Sequence, residues 1–321
     1  MSNPTLPRIR FAHLPTPVEA LPHLSASLKG PKLWIKRDDQ TGLAFGGNKT
    51  RKLEFLLAEA QSQDAKTLIT RGALQSNHCR QTAAAAARHG YHCILVLGST
   101  PPEKPTANVL LDRLLGAEIV WAGDRDPSLV IQQTFDQATE QGRRPFLIPY
   151  GGSTPTGAVA YVEAIGEFLA QNVPVDHMIV ATSSGGTQAG MLVGMAKHGF
   201  EGQLLGISVD QSTSVMQETI ATLANQTAAL LQQPQGFQPH DVLVNDDYCG
   251  AGYAVMGELE REAIDLFARQ EGILLDPVYT GRAAGGLIDL IRKGHFGKEE
   301  RVLFWHTGGT PSLFAYGDSL P

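Results

Sequence analysis

Lys49 has the strongest claim to chemistry in this chain, because it stands where a lysine is electrostatically out of place. It lies in Phe45-Gly46-Gly47-Asn48-Lys49-Thr50-Arg51-Lys52, just ahead of an amphipathic pattern with Leu53, Leu56, Leu57 and Ala60 on one side. A helix N-terminus carries partial positive charge, so a lysine followed there by Arg51 and Lys52 is expected to hold its proton weakly. Such an amine is a nucleophile suited to a Schiff base with an aldehyde. The plainer alternative is a basic, solvated first turn.

A second phrase, Met178-Ile179-Val180-Ala181-Thr182-Ser183-Ser184-Gly185-Gly186-Thr187, runs from strand-like residues through a Ser/Gly/Thr turn into a small-residue helix pattern. Backbone N–H groups, hydroxyls and a helix dipole converge there on one anion, unless the phrase is only a tight turn. It lacks the lysine of a Walker loop and does not match G-x-G-x-x-G, which disfavours nucleoside triphosphates and dinucleotides. In Gly72-Ala73-Leu74-Gln75-Ser76-Asn77-His78-Cys79, Ser76 and Asn77 can offer donors to a carboxylate. His78 and Cys79 are neighbours in sequence, and adjacent side chains seldom point at each other. Leu274-Leu275-Asp276-Pro277-Val278-Tyr279-Thr280-Gly281 reads as a strand-like piece entering a helix, with Tyr279 as a possible proton donor. Tyr253, in the polar loop Asp246–Tyr253, can reach the same cleft, and His306-Thr307-Gly308-Gly309 ends the last strand on its rim. A lysine nucleophile, a phosphate cradle without nucleotide features and several hydroxyl-bearing turns together describe a site for pyridoxal 5′-phosphate.

The elements that must position these phrases alternate. Short β-rich runs at Leu33–Lys36, Thr67–Thr70, Cys93–Leu97, Glu118–Trp121, Phe146–Ile148, Met178–Ala181, Leu204–Val209 and Arg301–Trp305 are separated by helical patterns such as Arg51–Ser62, Thr82–His89 and Gln188–His198. This is an α/β order with parallel sheet and helices on both faces, and its ligands belong at the carboxyl ends of the strands. At 321 residues the chain is long enough for two domains, and its 42% hydrophobic content excludes a disordered chain. A net charge of −6 disfavours nucleic acid as a partner. No apolar run reaches membrane length, and prolines including Pro4, Pro7 and Pro15 interrupt the N-terminus where an export signal would be apolar. Cys79, Cys93 and Cys249 suggest neither a disulfide framework nor zinc, so a reducing, cytoplasmic setting is expected, and no spacing calls for a metal.

From Leu14-Pro15-Thr16-Pro17 and Lys36-Arg37-Asp38-Asp39 through GGNKTRKLEFL, QSNHCRQTAAAAA, SSGGTQAGM and LLDPVYTGRAAGG to HTGG, the chain resembles the fold type II, tryptophan-synthase-β-like pyridoxal-phosphate enzymes. Within them it resembles the D-cysteine desulfhydrase and 1-aminocyclopropane-1-carboxylate deaminase family. The resemblance implies that Lys49 carries the cofactor as an internal aldimine, with Asn77 by the ring oxygen and Ser184, Gly185, Gly186 and Thr187 on the phosphate. Thr307 joins the cofactor set. Gln75, Ser76 and Asn77 would meet the substrate carboxylate, Ser76 or the lysine would transfer protons, and Tyr253 and Tyr279 would lie over the substrate.

One position discriminates. The deaminase phrase is VYEG, whereas this chain has Thr280 after Tyr279. A carboxylate beside the pyridine nitrogen strengthens the electron sink that ring opening needs; a hydroxyl suffices for β-elimination of a good leaving group. The resemblance therefore implies a carbon–sulfur lyase taking D-cysteine to pyruvate, hydrogen sulfide and ammonia. L-cysteate sulfo-lyases share VYTG and the deaminase remains an alternative, with Cys249 and Met256 in the loop that would choose the leaving group. A racemase, or a cofactor carrier without turnover, are the readings outside this chemistry. Residues 1–51 with 156–321 would form a larger cofactor-binding domain and 52–155 a smaller inserted one, with the site between them and a homodimer as the assembly.

Overall fold

The computed structural model describes residues 6–234 and 236–320; Pro4, with the rest of residues 1–5, and positions 235 and 321 lie outside them. The strands are β1 (Val18–Ala20), β2 (Lys32–Arg37), β3 (Thr67–Gly72), β4 (His92–Leu97), β5 (Glu118–Trp121), β6 (Pro145–Leu147), β7 (His177–Thr182), β8 (Gln203–Ser208), β9 (Leu243–Asn245) and β10 (Arg301–His306). The helices are α1 (Pro22–Leu28), α2 (Asn48–Ser62), α3 (Asn77–His89), α4 (Ala107–Leu114), α5 (Pro127–Glu140), α6 (Pro155–Ala170), α7 (Gly186–His198), α8 (Thr213–Leu230), α9 (Glu258–Glu271), α10 (Thr280–Arg292) and α11 (Thr310–Leu313). Among the described residues no helix is long and apolar enough to cross a membrane.

Two sheets result. One has the order β1-β2-β10-β7-β8-β9, the other β5-β4-β3-β6, and every pairing is parallel except β1 with β2. Alternate side chains of one strand enter different cores, as a pleat with period two requires. Met178, Val180, Leu303 and Trp305 pack under α6, α7 and α8, while Ile179, Val302 and Phe304 pack under α1, α9 and α10. The smaller sheet divides likewise, Leu68, Leu95 and Leu97 facing one core and Ile69, Ile94 and Val96 the other. Burial on both faces explains why these strands read as nearly unbroken apolar runs.

Three sequence expectations need correction. β1 is antiparallel, and neither it, β9 nor α1 announces itself in the sequence pattern. The piece before Asp276 is not a strand: Ile273 and Leu275 are buried, but β10 already has β2 and β7 on its two sides. The first turn of α2 is not solvated, since Arg51, Lys52 and Glu54 are all buried. That helix is wedged between the sheets, sending Phe55 into the core of the larger and Leu53, Leu56 and Leu57 into that of the smaller.

Candidate active site

Lys49 sits in the first turn of α2, and long-range bonds fix where that turn begins. Asn48 N donates to Thr307 O at 2.9 Å, and Gly47 N to Thr41 Oγ1 at 2.8 Å. Gly47 has φ +123° and a Cβ there would lie 2.6 Å from Gln81 Nε2, so only glycine brings the chain in this close. Beneath it, Arg51 is paired with Asp38 and Glu167, each at 2.8 Å. Asp38 Oδ2 also accepts from Tyr161 Oη at 2.6 Å and Trp305 Nε1 at 2.9 Å. The acidic phrase after β2 is thus an anchor for the lysine helix and stands apart from the cavity.

The cavity lies at the carboxyl ends of strands from both sheets. Lys49, Ser76, Asn77, Ser184, Gly185, Thr187, Tyr279 and Thr307 line it, as do Tyr150 and His78. The Lys49 ammonium is pushed down to about 8 by burial, so the expected direction holds while its cause is desolvation. Ser76 caps α3 by accepting from Cys79 N at 3.2 Å, which leaves its own proton free to donate. Tyr279 and Tyr253 share a hydrogen bond of 2.7 Å between hydroxyls, and burial raises both above the ordinary phenol value, so they remain proton donors. The loop carrying Tyr253 is held by buried Arg282, which donates to Gly252 O at 3.1 Å and Val255 O at 2.9 Å and pairs with Glu260 at 2.6 Å.

Other expected residues stand behind the lining. Gln75 turns away, its Oε1 accepting from Asn108 N at 2.8 Å. Gly186 gives its N–H to Ser153 Oγ at 3.2 Å. Thr280 is fully buried, donating to Asp276 Oδ1 at 2.7 Å and accepting from Asp276 N at 2.9 Å. Asp276 also takes the backbone N–H groups of Val278, Tyr279 and Thr280, so its charge is spread over the start of α10. Cys249 Sγ points to Ser208 O at 3.6 Å and Met256 packs on the core, so neither lines the cavity. His78 and Cys79 form no couple: Cys79 is wholly buried, and His78 Nε2 donates to Thr70 Oγ1 at 3.0 Å, because the Thr70 proton goes to Ile148 O.

Sequence reasoning missed Lys52, Ser153 and Tyr150. Lys52 is buried, forms no ion pair among the described residues, and reaches only Gly151 O and Ser153 Oγ, each at 3.4 Å. Burial and the nearby Lys49 charge pull its ammonium well below the usual value. Ser153 Oγ and Ser184 Oγ are 2.8 Å apart. A Cβ on Gly186 would lie 2.9 Å from Lys52 Nζ, and one on Gly151 would lie 3.4 Å from Lys49 Nζ and 2.5 Å from Ser184 Oγ. Bare backbone, paired hydroxyls and a buried amine with no ion-pair partner among the described residues make a seat suited to a dianion such as phosphate, and Lys49 is the amine next to it. The pair Gly151-Gly152, followed by Ser153, was the available signal.

A lysine amine beside a seat suited to phosphate, where two largely parallel sheets meet, is an arrangement that fits pyridoxal phosphate. Residues 9–308 match the family described as pyridoxal-phosphate dependent enzyme, and the chain belongs to that family. It is 38% identical to a solved protein described as an ACC deaminase homologue, with a TM-score of 0.90 over 98% of this chain and 95% of that one. A pyridoxal 5′-phosphate-dependent aspartate racemase (16% identity, TM-score 0.67, 92% of this chain and 90% of that one) shares the fold. So does threonine deaminase isoform 2 from Solanum lycopersicum (16%, TM-score 0.67, 92% and 79%). The fold is therefore that of the type II enzymes and the cofactor is pyridoxal 5′-phosphate.

Proposed function

We propose that the chain is a β-eliminating lyase that converts D-cysteine and one water to pyruvate, hydrogen sulfide and ammonia. What supports this reading is Thr280, an uncharged hydroxyl where the deaminase phrase has glutamate, buried behind the lining with its proton given to Asp276; ring opening would draw on a carboxylate at that position. In the bound state the cofactor supplies an electron sink for the pair left when a Cα proton departs.

The chain's own groups do the rest. Lys49 anchors the cofactor and, with its ammonium lowered to about 8, is poised near neutrality to move the Cα proton. Ser184, Gly185 and Thr187 would hold the phosphate from the lining, backed by Lys52, Ser153 and Gly186. Ser76 donates to the substrate carboxylate, and Tyr279, its hydroxyl oriented by Tyr253, donates to the departing sulfur. The wall formed by Tyr150 and Tyr279, with Tyr253 bonded behind Tyr279, limits water while the proton is in transit. We assign 52–155 to a smaller domain inserted in a larger one, and the assembly to a cytoplasmic homodimer, on the family resemblance.

The second reading, 1-aminocyclopropane-1-carboxylate deaminase, is favoured by the relative that is 38% identical. Keto-acid release from D-cysteine, L-cysteate and the cyclopropane amino acid, measured side by side with sulfide and sulfite, tests both. Sulfide and pyruvate from D-cysteine are expected. Highest turnover on the cyclopropane would overturn the Thr280 reasoning.

A further inference from the structure

We infer that Asn108, on a helix behind the cavity wall, acts with Arg80 to hold the Asn77 amide with its N–H₂ end toward the bound cofactor, and is thus a positioning residue. This rests on the pyridoxal-phosphate reading of the site. Asn108 is fully buried in the first turn of α4. Between it and Asn77 lies Arg80, buried as completely, whose Nη1 donates to Asn77 Oδ1 at 3.0 Å and to Asn108 Oδ1 at 2.9 Å. Its Nη2 donates to Gly46 O at 2.7 Å, in the loop that leads to Lys49.

A guanidinium has no acceptor, so both amides must turn their oxygens toward it. Asn108 Nδ2 then faces the other way, donating to Gln75 O at 2.8 Å and to Asn77 Oδ1 at 3.0 Å. Gln75 Oε1 closes the ring of bonds on Asn108 N at 2.8 Å. Asn77 Oδ1 is therefore engaged twice, and the amide offers the cavity its N–H₂ end. An acceptor of high electron density is the fitting partner, and the phenolic oxygen of pyridoxal phosphate, most basic as an anion, is one. A fixed donor lowers that oxygen's basicity; an inverted amide raises it.

The test uses the loaded enzyme and the variants Asn108→Asp and Asn108→Ala. The aspartate keeps the bond from Arg80, loses both donations and sets a negative oxygen against Asn77 Oδ1, so its repulsion opposes the hold of Arg80 on the Asn77 amide. The pH at which the visible absorption of the bound cofactor titrates is expected to rise by about one to two pH units in N108D and by less in N108A. In both, kcat is expected to fall with KM changed less than about twofold. Titration identical to the unsubstituted enzyme in both variants would overturn the inference. So would a larger shift in N108A than in N108D, which is the order lost packing predicts, or failure of both to fold, which would make Asn108 a prop of the fold alone. Borohydride trapping separates the two levels. With no adduct on Lys49 of the unsubstituted protein, the cofactor reading and this inference fall together; with the adduct present, unshifted variants sink only the inference.

Discussion

Replacing Lys52 by methionine is expected to move two properties in opposite directions, because a desolvated amine opposes folding while the same amine, protonated beside an anion, favours ligand. Without cofactor, Lys52 is a desolvated amine beside Lys49 with two contacts of 3.4 Å. Exchanging a desolvated buried amine without an ion-pair partner for an apolar chain of similar volume is neutral or stabilising, here by up to about 2 kcal/mol. A phosphate charge about 4 Å from the amine gains roughly 4 kcal/mol in gross Coulomb energy at an effective dielectric of about 20. Net of solvation, a charge-assisted bond of this kind is worth about 1.5–3 kcal/mol, or roughly 10- to 150-fold in affinity. The assay compares dissociation constants of pyridoxal phosphate and pyridoxal, since only the first carries the phosphate. K52M should shrink the preference for the phosphorylated form by that factor, leave pyridoxal binding nearly unchanged, and match or exceed the unsubstituted apo-protein in unfolding temperature. An unchanged preference refutes Lys52 as the phosphate's counter-charge; an apo-protein weakened like a core deletion refutes the claim that the buried amine has no compensating partner.

Capture of free pyridoxal phosphate by the apo-protein should speed up as pH rises through about 8, because Lys49 loses its proton there; at pH 7.5 an exposed lysine would present roughly two hundred times less free amine, and a rate rising only near 10 would contradict its burial. Tyr279→Phe removes the hydroxyl bonded to Tyr253 at 2.7 Å and is expected to lower kcat on D-cysteine by about 10²-fold or more with the cofactor's affinity kept. Equal turnover in Y279F would exclude it as the proton donor. Arg282→Ala strands the buried Glu260 carboxylate and frees the Tyr253 loop, so thermal or denaturant unfolding should show a loss of about 3–5 kcal/mol; a loss under 1 kcal/mol would show that the pair is not what holds the loop.

Much of the site was legible because its signals are local. The lysine at a helix start, the Ser/Gly turn after β7 and the hydroxyls of Ser76 and Thr187 each lie within a few residues of the backbone feature that gives them meaning. The alternation of strands and helices was legible for the same reason, as each strand's apolar run records burial on both of its faces. The run before Asp276 carries the same apolar signal without being a strand, since composition records burial and not whether a ladder position is vacant.

The amino-acid sequence by itself determined the α/β order and the placing of a lysine and of a Ser/Gly turn at two helix starts, because capping and period-two burial act over a few residues. Only the tertiary structure decided that Lys52 meets Ser153, that Tyr279 meets Tyr253, that Gln75 faces α4 and that Thr280 gives its proton to Asp276. Lys52 and Gly151 are 99 residues apart along the chain, and what brings them together is the wedging of α2 between two cores, which no local pattern encodes. The same wedging holds the half-buried lysine where little water reaches its amine and so sets its proton affinity by desolvation.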